Sequence, residues 1–391
     1  MADIDLSLSD IGALGFGSHT FLDSATPNQY VEGTSNHMTN NVYGINHRQM
    51  PLPIPINKDQ YGLTFFTRPQ LNMRRENLKN LRIMHPLLTT QSTSYQRLIR
   101  CTLDPRLMVG YNNGISVDED METTAIDCPL VDPEMAFIPI LTNSLNTISG
   151  WPDIRSPTFT SKPGPYKEEH SMVDGVVVDY TAFDLTASFR NSRGDPITSM
   201  IYYWMHYQSA VFEGTMSPYP DFIIENEIDY NTRIYRLVMD PTKTKVQRIA
   251  ACGAAFPTAA PTGGIFDFSK DKPYNDVNAD IQIPFRAMGF ICQDDILIRA
   301  FNQTVGIFQP GLRHGNPNGE MQKIPREFLS VFNNRGYPRI DPFTFELEWY
   351  VRKADYDARI GSFQQLDKLL DNALGFSLAT DEAAERERAQ R

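Results

Sequence analysis

Between residues 185 and 212 the spacing of apolar side chains changes period, and that change constrains the fold more than any other stretch. Leu185, Ala187 and Phe189 alternate with Thr186, Ser188 and Arg190, as on a strand with one buried face. Arg193-Gly194-Asp195-Pro196 then reads as a turn, and residues 197–212 are apolar and aromatic at helical length. A half-buried strand must therefore run straight into a buried helix. Residues 280–285 alternate in the same way. So do Phe343, Phe345, Leu347, Trp349 and Val351 against Thr344, Glu346, Glu348 and Tyr350, which predicts the clearest half-buried strand. The run 61–67 ends at Pro69, and 233–239 closes at Asp240-Pro241; both read as strands.

Helical spacing appears in Leu71, Leu78 and Leu81, and again in Tyr95, Leu98 and Ile99, with Pro86 between them. Leu103-Asp104-Pro105 stops the second segment. Residues 135–148 are apolar with good helix formers, ending at Gly150-Trp151-Pro152. Residues 161–166 (S-K-P-G-P-Y) read as a linker, after which the texture turns to β. Ile360, Phe363, Leu366, Leu370 and Leu374 mark one face of an amphipathic helix capped by Gly375. The A/E/R run 381–391 reads as a solvated or disordered tail. Residues 1–60, rich in Asn, Ser, Gly and Thr, pass through Met50-Pro51-Leu52-Pro53-Ile54-Pro55 and read as an extended arm. So polar a segment cannot order itself and needs a neighbour to hold it, which hints at an assembly.

The 391 residues, 41% of them hydrophobic, can bury a core without metal or disulfide staples. With 36 basic and 47 acidic side chains the net charge is −11, and no clustered Lys and Arg advertise tight nucleic-acid binding. Cys101, Cys128, Cys252 and Cys292 form no C-x-x-C pair and read as reduced, mostly buried thiols. Residues 1–9 carry no basic start or apolar run of a signal peptide, and no stretch approaches the roughly 20 apolar residues of a membrane helix. The expectation is synthesis in the cytoplasm with no membrane insertion.

The search for chemistry returns mostly negatives: no H-E-x-x-H, G-x-S-x-G, P-loop or EF-hand loop. Gly12, Gly15 and Gly17 have the wrong spacing for a dinucleotide fingerprint. The seven histidines (His19, His37, His47, His85, His170, His206, His314) are scattered, and His206 sits in the aromatic run 202–207. Asp118, Glu119, Asp120 and Glu122, in the turn-rich acidic loop that begins near Gly110, lack calcium-loop spacing. The sharpest alternative is Glu225, Glu227 and Asp229, which would share a face on a strand. Carboxylates about 5–9 Å apart can hydrolyse glycosides, so a cell-wall glycan hydrolase stays open; a polar strand face is the plainer reading. Catalytic, cofactor-binding and metal residues are expected to be none.

Four segments resemble the tail-tube family of contractile bacteriophages: residues 189–197 (F-R-N-S-R-G-D-P-I) with the following aromatic helix, 228–241, 254–261 and 281–287. Residues 62–69 (G-L-T-F-F-T-R-P) are similar to a sequence of virion structural proteins in large tailed phages. The resemblance is greatest to the larger, tube-like baseplate proteins. It implies an α+β, mainly β fold: a tail-tube-like β-sandwich with flanking helices, an extended N-terminal arm and a C-terminal amphipathic helix. The division expected is 1–60 arm, 61–160 mixed helical region, 166–351 sandwich and 352–391 helix with charged tail. The function implied is structural and non-enzymatic: a hub-proximal baseplate ring that initiates or adapts the tube, or else a neck, tube-terminator or wedge protein. The partners implied are further copies in a ring, six-fold on the resemblance, then the tube protein, hub, wedge and tape measure, with DNA only in transit. The location implied is the virion tail, assembled in host cytoplasm.

Overall fold

The computed structural model describes residues 61–108, 111, 126–176, 181–266, 270–271, 279–292, 294–313, 319–332 and 336–362. The expected arm (1–60), the acidic loop at 118–122, His19, His37, His47 and His314, and the helix face beyond Ile360 lie outside them.

The chain is α+β, with antiparallel sheets and flanking helices. Its strands are β1 Tyr61–Phe66, β2 Leu145–Ser149, β3 Thr158–Thr160, β4 Ser171–Val173, β5 Ala182–Arg190, β6 Ile234–Met239, β7 Val246–Pro257, β8 Asp280–Ile291, β9 Met321–Lys323, β10 Tyr337–Ile340 and β11 Leu347–Arg352. The α-helices are α1 Arg75–Lys79, α2 Tyr95–Leu103, α3 Pro139–Ser144, α4 Pro196–Phe212, α5 Pro220–Glu225, α6 Gly263–Phe266 and α7 Asp294–Phe308. Six strands form one sheet in the order β1-β6-β7-β8-β5-β2, three form a second (β10-β11-β9), and β3 pairs with β4.

Successive residues of a strand point to opposite faces, and Phe65 and Phe66 enter different cores. On the Phe66 side, α4 lays Ile197, Met200, Ile201 and Trp204 against Leu185, Phe189, Ile283 and Phe285. On the Phe65 side, Leu297, Phe301 and Val305 of α7 join Tyr235, Leu237 and Ile249, together with Tyr337, Ile340 and Tyr350 of the small sheet. Phe301 stacks on Phe137 at 5.1 Å and meets Phe65 and Tyr235 edge-on at 5.3 Å. Such ring pairs add to the stabilisation from area burial alone.

The period change at residue 185 is realised as expected. β5 alternates buried and exposed, Gly194 (φ 94°) and Asp195 (φ 50°) take left-handed conformations in the turn, and Pro196 opens α4 in the first-turn position it suits. The expected strands at 61–67, 233–239 and 280–285 are β1, β6 and the first half of β8.

Four local expectations are corrected. Residues 135–148 are not one helix: only Pro139–Ser144 is helical, and the β-branched Thr147 and Ile148 continue as β2. The Leu71–Leu81 spacing yields only the short α1, followed by a 3₁₀ helix, Arg82–Leu88, that contains Pro86. The strand expected from Phe343 begins only at Leu347. Asp341 accepts hydrogen bonds from the Phe343 amide (3.0 Å) and the Thr344 hydroxyl (2.8 Å), which makes a turn of 341–346. Residues 161–166 form the bend of the β3–β4 hairpin, closed by the Gly164 amide on the Glu168 carbonyl at 2.9 Å. β1 and β2, both N-terminal to that hairpin, belong to the same sheet as β5–β8.

Candidate functional site

The six-stranded sheet is covered unevenly, and its uncovered part is the candidate site. At the β1 end side chains from both faces enter cores, and the outer edge is occupied from Phe66 onward: the Ile138 amide bonds the Phe66 carbonyl (2.9 Å) and the Arg68 amide bonds the Ala136 carbonyl (2.9 Å). At the other end, among the described residues, β8, β5 and β2 are covered on one face only, by α4 together with Ile138 and Leu141. Along β5 the opposite face carries Asp184, Thr186 and Arg190, all exposed, and half-buried Ser188; along β8 it carries Asp280, Gln282 and Arg286. The cross-strand partners Asp184 and Arg286 make an ion pair at 2.7 Å, and Asn146 donates to Asp280 at 2.7 Å. Such an exposed pair fixes side-chain geometry and adds little stability.

The edge strand β2 has no second neighbour among the described residues. It is short, mostly exposed, and irregular between Leu145 and Thr147, features that limit indiscriminate edge pairing. Gly150 ends it at φ 102°, where an added Cβ would fall 2.2 Å from the Asp184 carbonyl oxygen, so only glycine fits. From there the chain leaves in the β3–β4 hairpin, every strand residue of which is exposed.

Four buried charged side chains, Arg68, Glu134, Asp104 and Asp229, hold the covered part together. The Arg68 guanidinium donates to the carbonyls of Cys101 (2.5 Å), Thr102 (3.1 Å), Asp132 (2.9 Å) and Met135 (3.1 Å). Burial lowers its pKa to about 10, so it stays charged at neutral pH. Glu134 accepts from Arg352, from Gln309 at 2.5 Å and from the Tyr337 hydroxyl at 3.1 Å, tying α7 and the small sheet to the segment after Ile126. The buried Asp104 accepts from the Met73 amide and the Tyr219 hydroxyl, each at 2.8 Å. Buried Asp229 accepts from the Tyr207 hydroxyl. Burial raises both carboxyl groups to about 6.

The three carboxylates expected to share a strand face do not. Glu225 ends α5, Glu227 follows a left-handed Asn226 (φ 55°), and Asp229 turns inward. Pro220 in the first turn and Asn226 at the C-cap are the signals of a short helix, and the face a glycoside hydrolase would need is not formed. His206 lies on α4 with its ring 4.3 Å from that of Tyr202, and burial lowers its pKa. His85 is exposed, and His170 sits in the hairpin. Cys101, Cys128 and Cys252 are buried and Cys292 is exposed; burial pushes the Cys101 thiol up to about 12 and Cys252 to about 11. Among the described residues no three metal-ligating side chains gather, and no helix is long and apolar enough to cross a membrane.

Sequence reasoning missed the roles of Arg68 and Glu134. Arg68 lies within 62–69, a segment marked only by its resemblance, and Glu134 in a short loop; neither carries a periodicity signal.

No curated protein matches the chain. Ten chains of solved structures match it, among them three that are similar over part of its length. The anti-feeding prophage tube-terminating cap shares 19% identity over 41% of this chain and 83% of its own, with a TM-score of 0.25. The PVC sheath/tube terminator in the extended state shares 17% over 40% and 87%, at 0.25. A chain of the PVC sheath-tube complex shares 18% over 41% and 83%, at 0.23. The family model described as putative phage tail tube protein matches residues 28–368. With that span the chain belongs to the putative phage tail tube protein family.

Proposed function

We propose that this chain is a structural ring subunit of a contractile phage tail, stationed at the baseplate next to the hub, where its ring initiates or adapts the tube. The observation that carries this reading is the half-covered sheet. The β8–β5–β2 half presents a polar face and, among the described residues, an open edge strand, while the β1–β6–β7 half contributes to two cores and exposes little beyond Arg248 and Gly253. An open edge and an ordered polar face are what neighbouring copies can extend into a closed ring. The mechanism is templating rather than catalysis, with the ring offering an edge to the first tube ring. Residues 1–60 and the C-terminal region from 352 are the parts proposed to reach neighbours, namely the tube protein, hub, wedge and tape measure, with DNA passing in transit. Assembly would take place in host cytoplasm, and the mature location would be the virion tail.

The test is electron microscopy of native particles labelled with a gold-conjugated antibody to residues 381–391. One label at the baseplate end is the expected result. A label at the head end moves the protein to the neck or tube terminus, and a label along the whole tail makes it bulk tube. Unlabelled particles with a demonstrably accessible epitope overturn the reading.

A further inference from the structure

From the last residue of α4 onward the chain carries apolar and acidic side chains that no other described residue covers. Phe212 is 93% exposed, Ile224 79%, Ile223 56% and Ile228 47%. Between the isoleucines stand Glu225 and Glu227, also exposed. Residues 213–229 contain five acids and no Lys or Arg. Large apolar side chains gathered and left uncovered, with a single sign of charge among them, mark a contact surface.

A surface of the opposite sign adjoins it. Asn80 donates to the Thr215 carbonyl (3.3 Å), Asn77 to the Ser217 carbonyl (3.0 Å), and the Arg74 guanidinium lies 5.0 Å over the Tyr219 ring. α1 and the 3₁₀ turn after it therefore run alongside residues 215–219. They expose Arg75, Lys79 and Arg82, with half-buried Leu81 and Ile83 beside them. Residues 74–85 hold four Lys or Arg against the single acid Glu76, a basic run that the overall charge of −11 conceals. Glu225, Glu227, Arg75, Lys79 and Arg82 make no ion pair among the described residues, although residues 215–219, against which α1 lies, lead directly into the Ile223–Ile228 ridge.

We propose that this flank is a two-fold docking surface for a second copy of the chain, the Ile223–Ile228 ridge of each copy seating on the Arg75–Arg82 shelf of the other. Adjoining patches of opposite sign are self-complementary under a two-fold axis, since each contact is made twice. A head-to-tail ring contact would instead need them on opposite flanks. The pairing is thus distinct from the ring proposed above, and it requires neither a phage particle nor the sheet edge. Two chains that each carry −11 repel at long range, so association has to rest on locally matched charge of this kind.

The test uses the full chain and its sedimentation at low ionic strength. The wild type is expected to form a dimer. Glu225→Lys with Glu227→Lys makes both patches basic, and Arg75→Glu with Arg82→Glu makes both acidic. Each double variant alone is expected to dimerise at least ~10-fold more weakly. Mixed one to one, the two variants are expected to recover the dimer, because each ridge again meets a shelf of opposite sign. Circular dichroism and melting confirm that both remain folded, and the milder Glu225→Gln with Glu227→Gln weakens pairing in the same direction. The proposal is overturned by a monomeric wild type, by variants that associate as the wild type does, or by a mixture of folded variants that stays monomeric. Because the assay is run on the free chain, its failure leaves the particle-labelling test untouched, and the reverse also holds.

Discussion

The two halves of the six-stranded sheet differ in how many faces they bury, and the sequence of each half records the difference. β6, buried at Ile234, Tyr235, Leu237 and Met239, reads as a nearly continuous apolar run. β5, covered on one face only among the described residues, alternates strictly, with Leu185, Ala187 and Phe189 fully buried against exposed Asp184, Thr186 and Arg190. A strand that feeds two cores leaves little room for polar side chains, and in β6 the one charged group, Arg236, donates to the Thr64 hydroxyl at 3.0 Å, whereas a strand with one solvated face carries a polar row. The first half is therefore organised for stability, and the second keeps a surface free.

Substitutions can break that comparison, and the largest effect is expected at Arg68. Replacing it with Met strands buried carbonyls of Cys101, Thr102, Asp132 and Met135, and chemical denaturation should show a loss of more than about 3 kcal/mol. Phe66→Ala empties a fully buried site against the rings of Phe189 and Phe285 and should cost about 3–5 kcal/mol by the same measurement. Thr186→Ala or Asp184→Ala, on the uncovered face of β5, should shift stability by no more than ~0.5 kcal/mol. Any larger defect in particle assembly would then be an effect on contacts between molecules rather than on folding.

A pH series sharpens the same comparison. Asp104 and Asp229, both in the covered region, are held near 6 by burial, above the ordinary carboxylate value of 3.8. The folded state therefore binds protons more tightly than the unfolded state. Their stabilising contribution is complete below about pH 4 and is lost as pH rises through about 6. Asp229→Asn, measured by thermal melting from pH 4 to 7, should flatten that fall, while Asp184→Asn on the open face should leave it unchanged. Equal slopes in all three proteins would contradict the assignment.

What the sequence makes legible follows from which forces are local. The strand–turn–helix at 185–212 is readable because period, turn chemistry and helix length agree within one window. The turn at 341–346 is hidden because Phe343 and Phe345 keep strand spacing while the Asp341 carboxylate takes the Phe343 amide and the Asp341 carbonyl takes the Phe345 amide. Glu225 and Glu227 look like a strand face until Pro220 and Asn226 are weighed as helix boundaries. The pairing of β1 with β6, and the Arg68 and Glu134 centres, join residues far apart in sequence, so no local pattern announces them. Of the candidate surface, the polar row of β5 was visible from the start; the open edge at β2 was not, since 145–148 reads as helix.

The central claim is that the β8–β5–β2 half is left open for contact within a tail particle. Hydrogen exchange by mass spectrometry, comparing the free chain with the chain in purified particles, tests it most directly. The account predicts that the peptide covering β2 exchanges fast in the free chain and becomes protected in the particle, while β1 and β6 are slow in both. Equally fast exchange of β2 in both states, in particles shown to contain the chain, would contradict it.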